Sequence, residues 1–274
     1  ASFDAQRITV DLQSGLQPDG EVRGRLATGW DAYAPLSGEL VARTDQLMWM
    51  ELLSPDIVEP QGRLNADLRF AGTRSAPVFD GTATLAAFRA DLPALGTGLR
   101  DGEVQLQADA TGTARIAGSA RVGEGTLRVD GSYDWRSDDT PLLLAVTGQD
   151  IRISDTRELR ATIDPALTVR WSAGQPLIVA GAVRIPSARM DLEGLSGGVG
   201  VSDDVVVLAP VYPDEGPATP RDLDLALLMG EDVRLRGFGL DGRLPGDVRM
   251  RARPGREAVA NGQLEVAGKY TAYG

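Results

Sequence analysis

The chain has 274 residues, of which 42% are hydrophobic and 24% are charged, so it has the composition of a folded protein with a core. Its formal net charge of −11 disfavours contact with phosphate backbones, and we expect no nucleic-acid partner. It contains neither Cys nor His, which removes disulfides, thiol catalysis, Ser-His-Asp triads and thiolate or imidazole metal sites. We therefore expect no catalytic residue, no metal and no cofactor, and we expect that the protein is not an enzyme.

Alternating apolar and polar residues begin near the N-terminus and recur along the whole chain. The pattern is clear in residues 8–12, 63–70, 104–108, 127–135 and 232–236. Each segment has the period of a half-buried strand, and about 20 of them follow one another, separated by Gly, Pro, Asp or Ser turns. The pattern predicts an all-β fold without βαβ units. Because the pattern is already under way at the first residue and still running at the last, we expect a fragment of a larger protein.

Residues 44–56 interrupt the alternation and predict a short helix near residues 45–54. Thr44 or Asp45 can cap this helix, and Pro55 ends it. Four apolar residues share or flank one helical face: Leu47, Trp49, Met50 and Leu53. They are candidates for a plug that covers one end of an apolar surface, and the alternative is a helix packed on the sheet in the ordinary way.

Residues 209–222 contain four prolines and no periodicity, which predicts an irregular loop. The strand pattern resumes in the same style after this loop. We therefore interpret residues 1–274 as one continuous unit with an excursion at the loop.

Two glycine motifs do not support enzyme functions. GFGLDG at 237–242 has dinucleotide-binding spacing, but another strand follows it where that function needs a helix. We interpret it as a bend with Phe238 and Leu240 on the apolar face. GLSGG at 194–198 has the spacing of a nucleophile elbow, but the chain has no histidine to activate Ser196. Paired acidic residues lie in turn-like segments without the spacing of a calcium loop.

Many positions on the apolar face are small, and small residues allow a sheet to curve strongly and leave space inside it. These positions are Gly24, Gly38, Ala66, Ala83, Gly118, Gly131 and Gly181. They fit an elongated sheet folded into a trough with an apolar interior, and they also fit a well-packed sandwich of small residues. Periodicity alone does not separate these two folds.

Several segments, in order along the chain, resemble the C-terminal region of TamB-type proteins. They are SGELVARTDQLMWMELLSPDIVEPQGRLNADLRFAGTRSAPVFDGTATL at 37–85, LPALGTGLRDGEVQLQ at 92–107, GSARVGEGTLRVDGSYDW at 118–135, LMGEDVRLRGFGLDGRLPGDVRMRARPG at 228–255 and GQLEVAGKYTAYG at 262–274. The resemblance implies a β-taco, which is a long curved sheet folded into an apolar trough. The TamB family belongs to the AsmA-like group, which is similar in build to bridge-like lipid-transfer proteins.

The resemblance also implies a location and partners. TamB-type proteins are anchored in the inner membrane of Gram-negative bacteria, have a long periplasmic body and meet an outer-membrane β-barrel of the TamA type. They are linked to phospholipid traffic, outer-membrane biogenesis and secretion of autotransporters. We expect the segment that docks the barrel to be absent from this chain, which stops short of the family's C-terminus.

The leading expectation is a periplasmic conduit whose apolar groove carries phospholipid acyl chains. The alternative is a chaperone-like scaffold that assists outer-membrane β-barrel proteins by β-augmentation, and a purely structural rod is a third possibility. The candidate groove-lining residues are Leu64, Ala66, Leu68, Phe70, Leu85, Val104, Leu106, Leu127, Val129, Tyr133, Leu142, Leu144, Val183, Val233, Leu235, Phe238, Leu240, Leu264 and Val266.

Overall fold

The described strands form one sheet. The computed structural model describes residues 2–3, 7–16, 20–52, 57–93, 96–137, 141–155, 159–172, 174–191 and 221–271. These residues contain 18 strands, close to the number that the sequence indicates. The strands are β1 Ser2–Phe3, β2 Arg7–Leu16, β3 Gly20–Gly29, β4 Ser37–Gln46, β5 Val58–Gly72, β6 Pro77–Leu92, β7 Thr97–Asp109, β8 Thr113–Val122, β9 Gly125–Asp134, β10 Leu142–Gln149, β11 Ile151–Asp155, β12 Leu159–Trp171, β13 Leu177–Asp191, β14 Arg221–Gly237, β15 Leu240–Arg243, β16 Gly246–Ala252, β17 Val259–Leu264 and β18 Ala267–Tyr270.

Sequence neighbours pair in this sheet, so the chain meanders from one edge to the other. From β1 to β10 each strand pairs antiparallel with the next. Strands β10 and β11 lie end to end along β12, and β16 and β15 lie end to end along β14. Among the described strands, β13 and β14 form the one parallel pair. The predicted loop at 209–222 lies outside the described residues up to residue 220, and its last two residues begin β14.

The register places apolar residues of neighbouring strands opposite one another, so the sheet has one continuous apolar face. Leu64 of β5 pairs with Leu85 of β6, and Leu85 pairs with Val104 of β7. Farther along the sheet, Gly131 of β9 pairs with Ile116 of β8 on one side and with Leu144 of β10 on the other. Because side chains alternate with a period of two, this register keeps every apolar set on the same side.

Glycines on the apolar face mark places where neighbouring backbones approach closely. A Cβ added at Gly131 would overlap the carbonyl oxygen of Leu143 in the next strand. A Cβ at Gly81, whose φ is +127°, would overlap the carbonyl oxygen of Asp67. A larger residue does not fit at either place. The small apolar-face residues therefore serve the curvature of the sheet, which is open and folded into a trough.

A row of β-bulges runs through β4 to β7 and again through β12 and β13, and we call this row the bulge line. The register shifts between Thr44 and Gln46 in β4, Gln61 and Arg63 in β5, Leu85 and Phe88 in β6, Arg100 and Glu103 in β7, Thr162 and Asp164 in β12, and Ile185 and Ser187 in β13. The gaps between β10 and β11 at Asp150 and between β15 and β16 at 244–245 lie on the same row. Since a bulge bends its strand, this aligned row forms the base of the trough.

The bulge line divides the apolar face into a long wall and a short wall. In β6 the long wall runs from Leu85 back to Phe79, and the short wall runs from Phe88 to Leu92. We call the ends of the long-wall strands farthest from the bulge line the rim.

The two core clusters of the described residues lie at the base. One contains Ala161, Ala188, Val233 and Leu244, and the other contains Leu47, Phe88 and Ala90. Leu47 and Val233 are each only 1% exposed. The first cluster packs against Ile185 and Met229, which lie at the foot of the long wall. The base is therefore packed by protein side chains alone.

The predicted helix is shorter than the sequence indicates. Met48–Leu52 forms a 3-10 helix, in which the amide of Met50 donates to the carbonyl oxygen of Leu47 at 2.8 Å. Thr44 still belongs to β4, and its hydroxyl accepts a hydrogen bond from the amide of Gln46 at 3.0 Å. Strand β4 therefore continues through Thr44 and Asp45, the predicted capping positions, because its C-terminal residues pair with β5.

Candidate functional site

The long wall is an apolar surface of the described sheet that extends beyond the base clusters, and Leu64 and Leu85 at its foot pack against one of them. It carries twelve of the sequence-predicted lining residues, namely Leu64, Ala66, Leu68, Phe70, Leu85, Val104, Leu106, Leu127, Val129, Tyr133, Leu142 and Leu144. Most of them are half-buried, and Val104 is exposed. A row of large apolar side chains that are neither covered nor fully in water is the surface of a groove.

The other predicted lining residues lie elsewhere. Val183 and Val233 are buried near the base, and Leu235 and Leu240 are half-buried on the short wall. The last three lie near the C-terminal edge and are exposed: Phe238 in the turn between β14 and β15, Leu264 at the end of β17 and Val266 between β17 and β18.

The residues of the predicted plug divide between the core and the surface. Leu47 is buried against Phe88 and Ala90, and Met50 packs against the same cluster. Trp49 is 45% exposed. Leu53 lies outside the described residues. Leu47 thus packs at the base beside β5 and β6.

An aromatic cluster lies at the rim. The ring centroids of Phe70 and Phe79 are 5.4 Å apart, and those of Phe79 and Trp135 are 4.8 Å apart, both edge to face. Phe79 and Trp135 sit three strands apart, which is about 14 Å in a flat sheet, so the sheet curls inward between them. Ala108 and Ala114 lie on the two strands between them and are buried.

This contact was not predicted from the sequence. Phe79 is absent from the predicted lining residues, and Trp135 entered only as part of an alternating strand. The sequence did contain a signal for this contact, because aromatic residues recur where strands end at turns.

Two buried polar atoms of the apolar face, both near the rim, have no hydrogen-bond partner among the described residues. They are Nε1 of Trp135 and Oγ1 of Thr28. Thr28 is paired with Ile8 and lies two residues beyond Leu26 toward the rim. Buried donors are nearly always satisfied in folded proteins, so these two atoms are exceptions among the described residues.

The opposite face of the sheet is polar and carries the ion pairs. Nε and Nη2 of Arg249 donate to the two carboxylate oxygens of Asp224 at 2.6 and 2.8 Å, and Arg251 lies 3.5 Å away. The hydrogen bond from Arg249 lowers the pKa of Asp224 below its ordinary value. A depression of about 540 Å³ also opens on this face, lined partly by Arg128 and Arg184. The outer face is thus solvated, and the groove belongs to the inner one.

The described residues contain no group of three or more acidic side chains arranged to hold a metal ion. Within the same part of the chain, no helix has the length and apolar character that a bilayer-spanning segment needs.

Comparison with known proteins gives one family. The family model of the TamB C-terminal domain matches residues 114–274, more than half of the chain. The match begins in β8 and includes the long wall from there to the C-terminal edge. The resembling segment at 37–85 lies before it. No solved structure matches the chain.

Proposed function

The chain belongs to the TamB family, and we propose that its long wall carries phospholipid acyl chains between the inner and outer membranes. TamB-family proteins work in a translocation and assembly module of the Gram-negative envelope, together with a TamA-type partner. In this proposal the full-length protein is anchored in the inner membrane. The described region is a periplasmic conduit that supports outer-membrane biogenesis.

The half-covered long wall is the observation that carries the proposal. Its apolar residues follow one register from strand to strand, so an acyl chain meets hydrocarbon wherever it lies along the groove. Burial of a chain contributes about 0.8 kcal/mol per CH₂, and this contribution does not depend on direction. A chain can therefore slide without crossing a polar barrier, and no side chain needs to do chemistry.

Substitutions on opposite faces of the same two strands test the proposal. Leu127→Arg with Leu144→Arg places two charges on the long wall, whereas Thr126→Arg with Ala145→Arg places them on the exposed outer face. Lipid extraction and native mass spectrometry of the purified chain measure bound phospholipid. We expect the wild type and the outer-face variant to carry phospholipid, and the wall variant to lose about tenfold or more, because a charge in an apolar groove is costly.

Two results would contradict the proposal. One is the absence of phospholipid from the wild-type chain. The other is an unchanged amount of phospholipid on a wall variant whose circular dichroism shows an intact sheet.

The C-terminal edge favours a second candidate function. All described residues of β17 and β18 are exposed, and these strands pair on one side only within the described sheet. An open edge of this kind can template a strand of an unfolded β-barrel protein. Photo-crosslinkers at Val259 and Asn261 distinguish the candidates, since this function predicts crosslinks to unfolded outer-membrane protein at the edge.

A further inference from the structure

Aromatic residues of the described sheet concentrate at the rim. Those in or next to the rim are Trp30, Tyr33, Phe70, Phe79, Tyr133, Trp135 and Trp171. Of the four tryptophans in the sequence, only Trp49 lies elsewhere, on the 3-10 helix. The long wall between rim and base is lined mainly by aliphatic residues and glycine. The groove therefore changes character along the strand direction, from aromatic at the rim to aliphatic at depth.

The long wall has the same depth in β6 and in β9. Its apolar positions run from Leu85 to Phe79 in β6 and from Leu127 to Tyr133 in β9, a span of six residues in each. At about 3.4 Å per residue this depth is about 20 Å. One leaflet of a bilayer has about 15 Å of hydrocarbon, half of the full core. An extended acyl chain thus fits between rim and base.

Tryptophan has an apolar ring and one N–H donor, and it prefers the level where hydrocarbon meets polar head groups. Trp135 has both features at the rim: its ring packs on Phe79, and its buried Nε1 has no partner among the described residues. The ester and phosphate oxygens of a phospholipid are acceptors of the kind that this donor lacks. Farther along the rim, Oγ1 of Thr28 is likewise buried and has no hydrogen-bond partner among the described residues.

Resting on the proposed function, we propose that the aromatic rim is the head-group level of the groove. A phospholipid stands along the strands of the long wall, with its ester oxygens beside Trp135 and the methyl ends of its chains at the bulge line. The packed side chains of Leu47 and Val233 set the depth, because they leave no room below the bulge line. Successive lipids then stand side by side across the strands, as they do in one leaflet.

Depth-dependent fluorescence quenching tests this orientation. The probe is phosphatidylethanolamine with bromine atoms next to either the ester end or the methyl end of the acyl chain. A variant with Trp30→Phe, Trp49→Phe and Trp171→Phe keeps Trp135 as the sole tryptophan and reports on the rim. We expect ester-end bromines to quench Trp135 at least about twofold more strongly than methyl-end bromines, since quenching requires near contact.

A second reporter and a control accompany the first. A variant with Trp171 as the sole tryptophan should show the same order, because Trp171 ends β12 at the rim. A variant with only Trp49 should be quenched weakly by both probes. In addition, Trp135→Phe keeps an aromatic ring at the rim, although a smaller one, and removes the indole N–H donor. We expect about threefold to tenfold weaker lipid binding, the range for one lost hydrogen bond.

The outcomes separate this inference from the proposed function. If extraction finds no bound phospholipid and neither probe quenches a rim tryptophan, the proposed function fails. If phospholipid binds but methyl-end bromines quench Trp135 and Trp171 as strongly as ester-end bromines or more strongly, the conduit stands and the head-group rim is overturned.

Discussion

The base and the long wall of the trough use similar apolar residues but leave them in different surroundings. At the base, Leu47 and Val233 are enclosed by neighbouring side chains. On the long wall, residues of the same types, such as Leu68 and Leu144, remain half-buried. The difference arises from the bulge line, which brings the two walls together at the base and lets them diverge toward the rim. The fold thus places its protein core along one line and leaves the apolar residues of the long wall half-buried.

The largest expected effect comes from placing a charge in each region. Val233→Asp buries an unpaired carboxylate at the base and should lower the free energy of unfolding by about 4 kcal/mol or more. Leu144→Asp on the wall should cost less than about 2 kcal/mol, because the carboxylate can reach water. Urea unfolding followed by circular dichroism compares the two variants. Equal losses would mean that the wall is as closely packed as the base.

Truncation of leucine tests the same contrast without charge. Leu47→Ala removes a fully buried side chain and should cost about 3 kcal/mol, within the range for core leucines. Leu68→Ala, at a half-buried wall position, should cost about 1 kcal/mol. The shift of the urea midpoint at constant slope gives both values. A larger loss for Leu68 than for Leu47 would reverse the comparison.

The close approach of strands at glycine offers a third test. Gly131→Ala places a Cβ against the carbonyl oxygen of Leu143, so the two strands must separate, at a cost of about 2 kcal/mol. The matched control is Ser132→Ala on the opposite face of β9, where we expect a change below about 0.5 kcal/mol. Thermal unfolding measures both variants. A neutral Gly131→Ala would show that the sheet bends elsewhere.

The outer face should give the smallest effect. The hydrogen bond from Arg249 lowers the pKa of Asp224, so this ion pair adds stability at neutral pH and loses it as the pH falls through the lowered pKa. Arg249 is exposed and Asp224 is half-buried, so solvent screens the pair and its contribution is small. Asp224→Asn should therefore reduce the difference in thermal midpoint between neutral and acidic solution slightly. An unchanged difference would show that the pair contributes nothing measurable.

Sequence periodicity predicted the faces of individual strands but could not predict their long-range arrangement. The alternation from Leu64 to Phe70 assigns these side chains to one face, and the register agrees. The bulge line escaped prediction because its residues, such as Ala87 and Asp150, resemble ordinary turn or outer-face residues. The contact of Phe79 with Trp135 depends on how far the sheet curves between β6 and β9. The parallel pairing of β13 with β14 depends on the relative direction of these two strands. Alternation carries no information on either property.

In vivo photo-crosslinking from the long wall tests the central claim most directly. A photo-crosslinking amino acid at Leu68 or Leu144 of the full-length protein faces the groove, and the same group at Asp67 or Ala145 faces outward. The account predicts crosslinks to phospholipid from the two wall positions and none from the two outer positions. Crosslinks from the wall to unfolded outer-membrane protein, with none to lipid, would contradict it.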